Sequence, residues 1–74
     1  MNFNLQILID TIKQRRIQLN YKQEYVAAKM GVSQNAYSKL ELGRSHLTVE
    51  RLVQVCYVLE ADVCDMLLPA LKAS

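Results

Sequence analysis

The stretch that decides the fold is Gln23-Glu24-Tyr25-Val26-Ala27-Ala28-Lys29-Met30-Gly31-Val32-Ser33-Gln34-Asn35-Ala36-Tyr37-Ser38-Lys39-Leu40-Glu41-Leu42-Gly43-Arg44. Its apolar residues fall at helical spacing on either side of Gly31-Val32-Ser33, so it predicts two short helices joined by a tight turn. Gly31 can take the left-handed conformation that ends the first helix without steric cost. Ser33 can accept a hydrogen bond from a free amide in the first turn of the second, and Gly43 closes that helix. Ala27 is small where the two helices must approach closely, while Val26, Val32, Tyr37 and Leu40 supply the apolar contacts that set their crossing.

Outward from this unit the same period continues. Leu5, Leu8, Ile9 and Ile12 form a stripe that runs through Arg16 to Leu19, which predicts a first helix of about four turns, capped by Asn2 or Asn4 and broken at Asn20-Tyr21. Thr48 is expected to cap a fourth helix with Glu50 in its first turn and Leu52, Val55, Cys56 and Leu59 on its buried face. Asp62 is expected to cap a fifth carrying Val63, Met66 and Leu67, with Pro69 limiting it. No stretch alternates with a period of two. The fold class expected is all-α, five short helices in one domain.

Length narrows the function. At 74 residues the chain is a single domain with little room for a deep catalytic cleft. One histidine and two cysteines, Cys56 and Cys64, make neither a disulfide scaffold nor a tetrahedral metal site. There is no Gly-rich phosphate loop and no nucleophile-and-base constellation, so neither an enzyme nor a cofactor is expected. No apolar run reaches the roughly 18 residues of a membrane span. The start of the chain lacks a secretory pattern, which leaves the cytoplasm as the expected location. The net charge is +2, unevenly placed. Residues 1–45 carry seven Lys/Arg against three acids, and residues 46–74 carry two against four. The basic half calls for an anionic partner.

The run quoted above resembles the Cro/cI-type, XRE-like helix-turn-helix of phage repressors and bacterial regulators. The similarity extends from about Ile12 to Leu67, with the motif itself at about 23–43. The resemblance implies a compact five-helix, lambda-repressor-like fold over residues 1–74 and a sequence-specific transcriptional regulator of a bacterium or phage, associated with the nucleoid. Double-stranded DNA is the implied partner, with the third helix in the major groove. Gln34, Asn35, Ser38 and Lys39 are the expected base contacts, since carboxamides pair bidentately with adenine and a lysine reaches guanine or phosphate. Gln23, at the start of the second helix, is implied as a backbone contact, joined by Lys22, Arg44, Ser45 and His46. Arg16 and Glu41 match a structural ion pair of the family, so Arg16 is assigned to the interior and not to DNA.

The chain departs from the family at several positions. Lys22 stands where a capping Thr, Ser or Asn is usual, leaving the second helix without a side-chain cap. Tyr37 and Tyr21 occupy apolar slots and Cys56 a small one, which assigns them to the core. Val53, Tyr57 and Val58, with Leu68, Ala70 and Leu71, exceed what a core of this size needs. Val53, Tyr57, Val58, Leu68 and Leu71 are therefore candidates for a homodimer interface on the fourth and fifth helices, and a dimer would read a palindromic operator. Alternative readings are a toxin-operon antitoxin, a restriction-modification controller that touches RNA polymerase, and a protein-interaction module that uses the fourth and fifth helices without binding DNA.

Overall fold

The computed structural model describes residues 2–72 and contains five helices: α1 (Leu5–Gln18), α2 (Gln23–Met30), α3 (Gln34–Glu41), α4 (Val49–Val58) and α5 (Val63–Lys72). Their starts follow from short polar side chains. The Oδ1 of Asn4 accepts from the Ile7 amide, the Oγ of Ser33 from Ala36, the Oγ1 of Thr48 from Arg51, and the Oδ1 of Asp62 from both Cys64 and Asp65. Only α2, which begins after Lys22, has no side-chain cap.

The ends share one geometry. Asn20, Gly31, Gly43 and Glu60 all take positive φ, and the next residue's amide returns to the carbonyl five positions earlier: Tyr21 to Arg16, Val32 to Ala27, Arg44 to Lys39 and Ala61 to Cys56. Four helices therefore close with the left-handed, six-to-one pattern of a Schellman ending. At Gly43 a Cβ would meet Ile9 Cδ1 at 3.5 Å, an ordinary contact, so it is the positive φ of the turn that asks for glycine there.

The core is a single cluster that draws on every helix. Leu8 and Ile12 of α1 meet Val26, Ala27 and Met30 of α2, Tyr37 and Leu40 of α3, Leu52, Val55, Cys56 and Leu59 around α4, and Met66 and Ala70 of α5. Val32, Tyr21, Val58 and Leu67 pack partly buried against it. Leu5, expected at the head of the buried α1 stripe, is exposed instead. Arg15 ties α1 to the end of α4: its Nε donates to the Leu59 carbonyl at 3.0 Å and its Nη2 to that of Glu60 at 3.1 Å.

Two expectations about α5 are corrected. Pro69 does not limit the helix, which runs through it to Lys72. Proline forfeits the hydrogen bond to the Asp65 carbonyl, but Asp65 is exposed, so water can replace the missing donor. The apolar face continues past the proline, and Ala70, completely buried against the core, holds the last turn in place. Ala70 is thus core and not apolar surplus. Its carbonyl accepts from the Asn4 amide at 3.1 Å, which fastens the start of α1 to the end of α5.

Candidate nucleic-acid interface

The α2–turn–α3 unit presents the N-terminal part of α3 to solvent. Tyr37 and Leu40, on the opposite side of the helix, are buried, so the direction of the polar side follows from packing. Gln34, Asn35 and Lys39 are exposed and Ser38 is half-buried. Asn35 and Lys39 line a groove with Ser45 and His46 of the α3–α4 connection, and Arg51 of α4 borders the same groove. Arg51 was not among the residues singled out from sequence. Its only local signal is a basic side chain three residues after the Thr48 cap. It donates from Nη1 to Gln54 Oε1 at 2.8 Å.

The other end of α3 is fixed from inside. Glu41 is a buried acid whose carboxylate accepts four hydrogen bonds. Arg16 makes two of them, Nε to Oε2 at 2.7 Å and Nη2 to Oε1 at 3.1 Å, while Gln23 Nε2 donates to Oε1 at 3.0 Å and the Tyr37 hydroxyl to Oε2 at 2.5 Å. Arg16 also donates from Nη1 to the Tyr21 carbonyl at 2.8 Å. The planar guanidinium suits this bidentate grip on a carboxylate. Arg16 and Glu41 are thus an interior pair, as expected, and the pair joins α1, the start of α2 and the end of α3.

The electrostatics follow from this geometry. Burial by itself would raise the Glu41 carboxyl, but the hydrogen bonds from Arg16, Tyr37 and Gln23, with the Arg16 charge, outweigh it and hold the group below the usual glutamate value. Tyr37 is pushed well above its ordinary value, first by burial and then by its bond to Glu41. Arg16 is raised by its bond to Glu41 against the opposing effect of burial. The network is charged and satisfied at neutral pH. No buried side-chain nitrogen or oxygen among the described residues lacks a partner.

Gln23 sits at the junction of this interior network and the surface. It is half-buried, and the carboxylate of Glu41 can only accept, so the amide must turn its NH2 group inward. One amide proton and the carbonyl remain for other partners. The N-terminus of α2 beside it keeps free backbone N–H groups, because Lys22 supplies no cap. Lys22, Arg44, Ser45 and His46 are all exposed. An uncapped helix start next to Lys22 is well suited to an anion.

The remaining predicted residues divide. Val53, Tyr57 and Leu68 are exposed, while Val58 and Leu71 are half-buried. The grooves that contain Val53, Tyr57 and Val58 are completed by α2 residues and contain neither Leu68 nor Leu71. Cys56 is buried, which raises its thiol, and Cys64 is exposed. Among the described residues no three His, Cys, Asp or Glu side chains are placed to hold a metal ion, and no helix is long and apolar enough to cross a membrane.

Comparison with known proteins agrees with this arrangement. A helix-turn-helix family model, HTH_3, matches residues 12–63. A search of curated protein sequences gives no significant match. Two crystal structures of the clp gene regulator ClgR from Corynebacterium glutamicum superpose with a TM-score of 0.84 at 29% identity. Each covers 92% of this chain, which corresponds to 88% of one ClgR chain and 72% of the other. The range matched by the family model includes the α2–α3 turn, Arg16, Glu41 and the exposed residues of α3. The chain therefore belongs to the Cro/cI-type, XRE-like helix-turn-helix family of DNA-binding transcriptional regulators.

Proposed function

We propose that the protein is a dimeric, sequence-specific regulator that places α3 in the major groove of a palindromic operator. The observation that carries this reading is the outward polar face of α3, with Gln34, Asn35 and Lys39 exposed next to a helix start that has no side-chain cap. Gln34 and Asn35 read base edges, and Lys39 reaches guanine or phosphate, with Ser38 tolerating either neighbour. Lys22, Gln23, Arg44, Ser45 and His46 hold the sugar-phosphate backbone, and Arg51 joins them from the far wall of the groove. Arg16 takes no part, because its guanidinium is committed to Glu41 and the Tyr21 carbonyl.

One α3 spans too few base pairs for useful discrimination, so two copies on half-sites about one helical turn apart form the working unit. The exposed apolar residues of α4 and α5 supply a surface for pairing. Such a protein acts by occupancy in the cytoplasm, on the nucleoid, and ClgR, a clp gene regulator, gives a precedent for gene control on this fold.

Selection of bound duplexes from a random pool tests the reading directly. The expected product is a two-fold symmetric consensus with half-site centres about 10 base pairs apart. Recovery of no preferred sequence, with binding that follows only duplex length, would reduce the protein to a non-specific binder.

A further inference from the structure

Three of the chain's four tyrosines converge on one groove, between α2 and α4. The fourth, Tyr37, is core. The rings of Tyr21 and Tyr25 lie 4.6 Å apart between centroids, and Lys29 Nζ sits 5.7 Å from the Tyr25 centroid. The Tyr21 hydroxyl donates to Glu60 Oε2 at 3.1 Å. Tyr57 borders the same groove from α4 but remains 85% exposed, and Val53, one turn earlier, is 50% exposed. None of Gln34, Asn35, Ser38 or Lys39 lines this groove, so occupying it leaves the readout face of α3 free.

We infer that this groove is a self-complementary contact surface and that its occupant is a second copy of the same chain. The inference rests on the dimer reading above and narrows it from α4 and α5 to the α2–α4 groove. Two features select a second copy. Tyr57 is a projecting aromatic beside an open aromatic hollow, which is the knob and the hole that an isologous contact requires on one patch. The patch also carries opposite charges: Glu60 and Lys29 both border the tyrosine hollow, and Lys29 reaches on to the groove lined by Val53 and Tyr57. With a two-fold axis beside Tyr57, Tyr57 of each copy enters the hollow of the other while Lys29 of each faces Glu60 of the other. Tyrosine suits this use, because it offers a large apolar area at low rotamer entropy and keeps its hydroxyl in water.

Charge exchange tests the geometry. Lys29→Glu and Glu60→Lys, each shown to be folded by circular dichroism, are expected to raise the dimer dissociation constant about tenfold, since each makes two like-charge contacts per dimer. An equimolar mixture of the two variants is expected to form a heterodimer with near wild-type affinity in sedimentation. One chain then presents two acids and the other two bases. Tyr57→Glu is expected to give a monomer, and Leu68→Glu to leave the dimer intact.

Failure of the mixed variants to recover association overturns the groove assignment. So does dissociation by Leu68→Glu with the charge variants inert, which would return the interface to α5. A wild-type chain that is monomeric both free and on a palindromic duplex overturns the dimer reading itself. Binding of that monomer to a single half-site would leave the DNA-binding assignment standing and so separate the two failures.

Discussion

The two ends of α3 are built on opposite principles. At its N-terminal end Gln34 and Asn35 are exposed, and apart from the Ser33 cap none of the hydrogen bonds described there involves another side chain. At its C-terminal end, seven residues along, Glu41 is buried and takes four hydrogen bonds from α1, α2 and α3 itself. One helix of eight residues thus has an anchored end and a presented end. The difference teaches how a small domain can aim a polar surface without spending side chains on the surface to do so. The orientation is set by the interior carboxylate and by Tyr37 and Leu40, and the exposed residues stay available to a ligand.

This contrast can be broken at the anchored end with the largest effect. Arg16→Ala strands the Glu41 carboxylate and is expected to destabilise the fold by about 3–5 kcal/mol, read from denaturant unfolding. A loss below about 1 kcal/mol would mean that Tyr37 and Gln23 suffice as partners. At the presented end, Gln34→Ala is expected to leave unfolding unchanged within about 0.5 kcal/mol, as for an ordinary surface change, while weakening operator binding by about 1–3 kcal/mol at one base pair. Unchanged specificity would remove Gln34 from the readout set. Arg44→Ala, just past the anchor, is expected to weaken all sequences alike and lower the salt slope of binding by about one unit.

The smallest effect is on pH. Glu41 titrates below the usual glutamate value when folded, so the unfolded chain takes up its proton first as pH falls. Its contribution to stability is complete above the unfolded value of about 4.3 and is lost as pH falls from there through the lowered folded value. Glu41→Gln is therefore expected to flatten the acid limb of the stability profile, an effect that titration of unfolding midpoints would detect. An unaltered acid limb would show that other carboxylates dominate it.

Much of the fold was legible because its signals are local. Ser33, Thr48 and Asp62 cap helices in the structure as their chemistry predicts, and Gly31 and Gly43 take the positive φ their positions ask for. The Arg16–Glu41 pair was legible only through resemblance, since 25 positions separate the partners and no spacing rule connects them. Other features are tertiary and left no local mark. Glu60 ends α4 as a left-handed residue with a full side chain, where sequence rules look for glycine. Pro69 is a strong local signal that the packing of Ala70 overrides. The bond from Gln23 to Glu41 depends on how α2 meets α3, and the meeting of Tyr21, Tyr25 and Tyr57 on how α2 meets α4. Each half of such a contact reads as ordinary until the helices are placed.

The missing cap on α2 has a dynamic consequence. Helices α1, α3, α4 and α5 each have first-turn amides held by a side-chain oxygen, but at the start of α2 only the Tyr25 amide is taken, by the Lys22 carbonyl, which leaves those of Gln23 and Glu24 to solvent or an anion. Their hydrogens should exchange quickly in the free protein and slow down when a phosphate takes the place of the cap. The first turn of α2 would then act as a built-in reporter of occupancy, silent in the static fold and visible as a local gain in protection once DNA is bound.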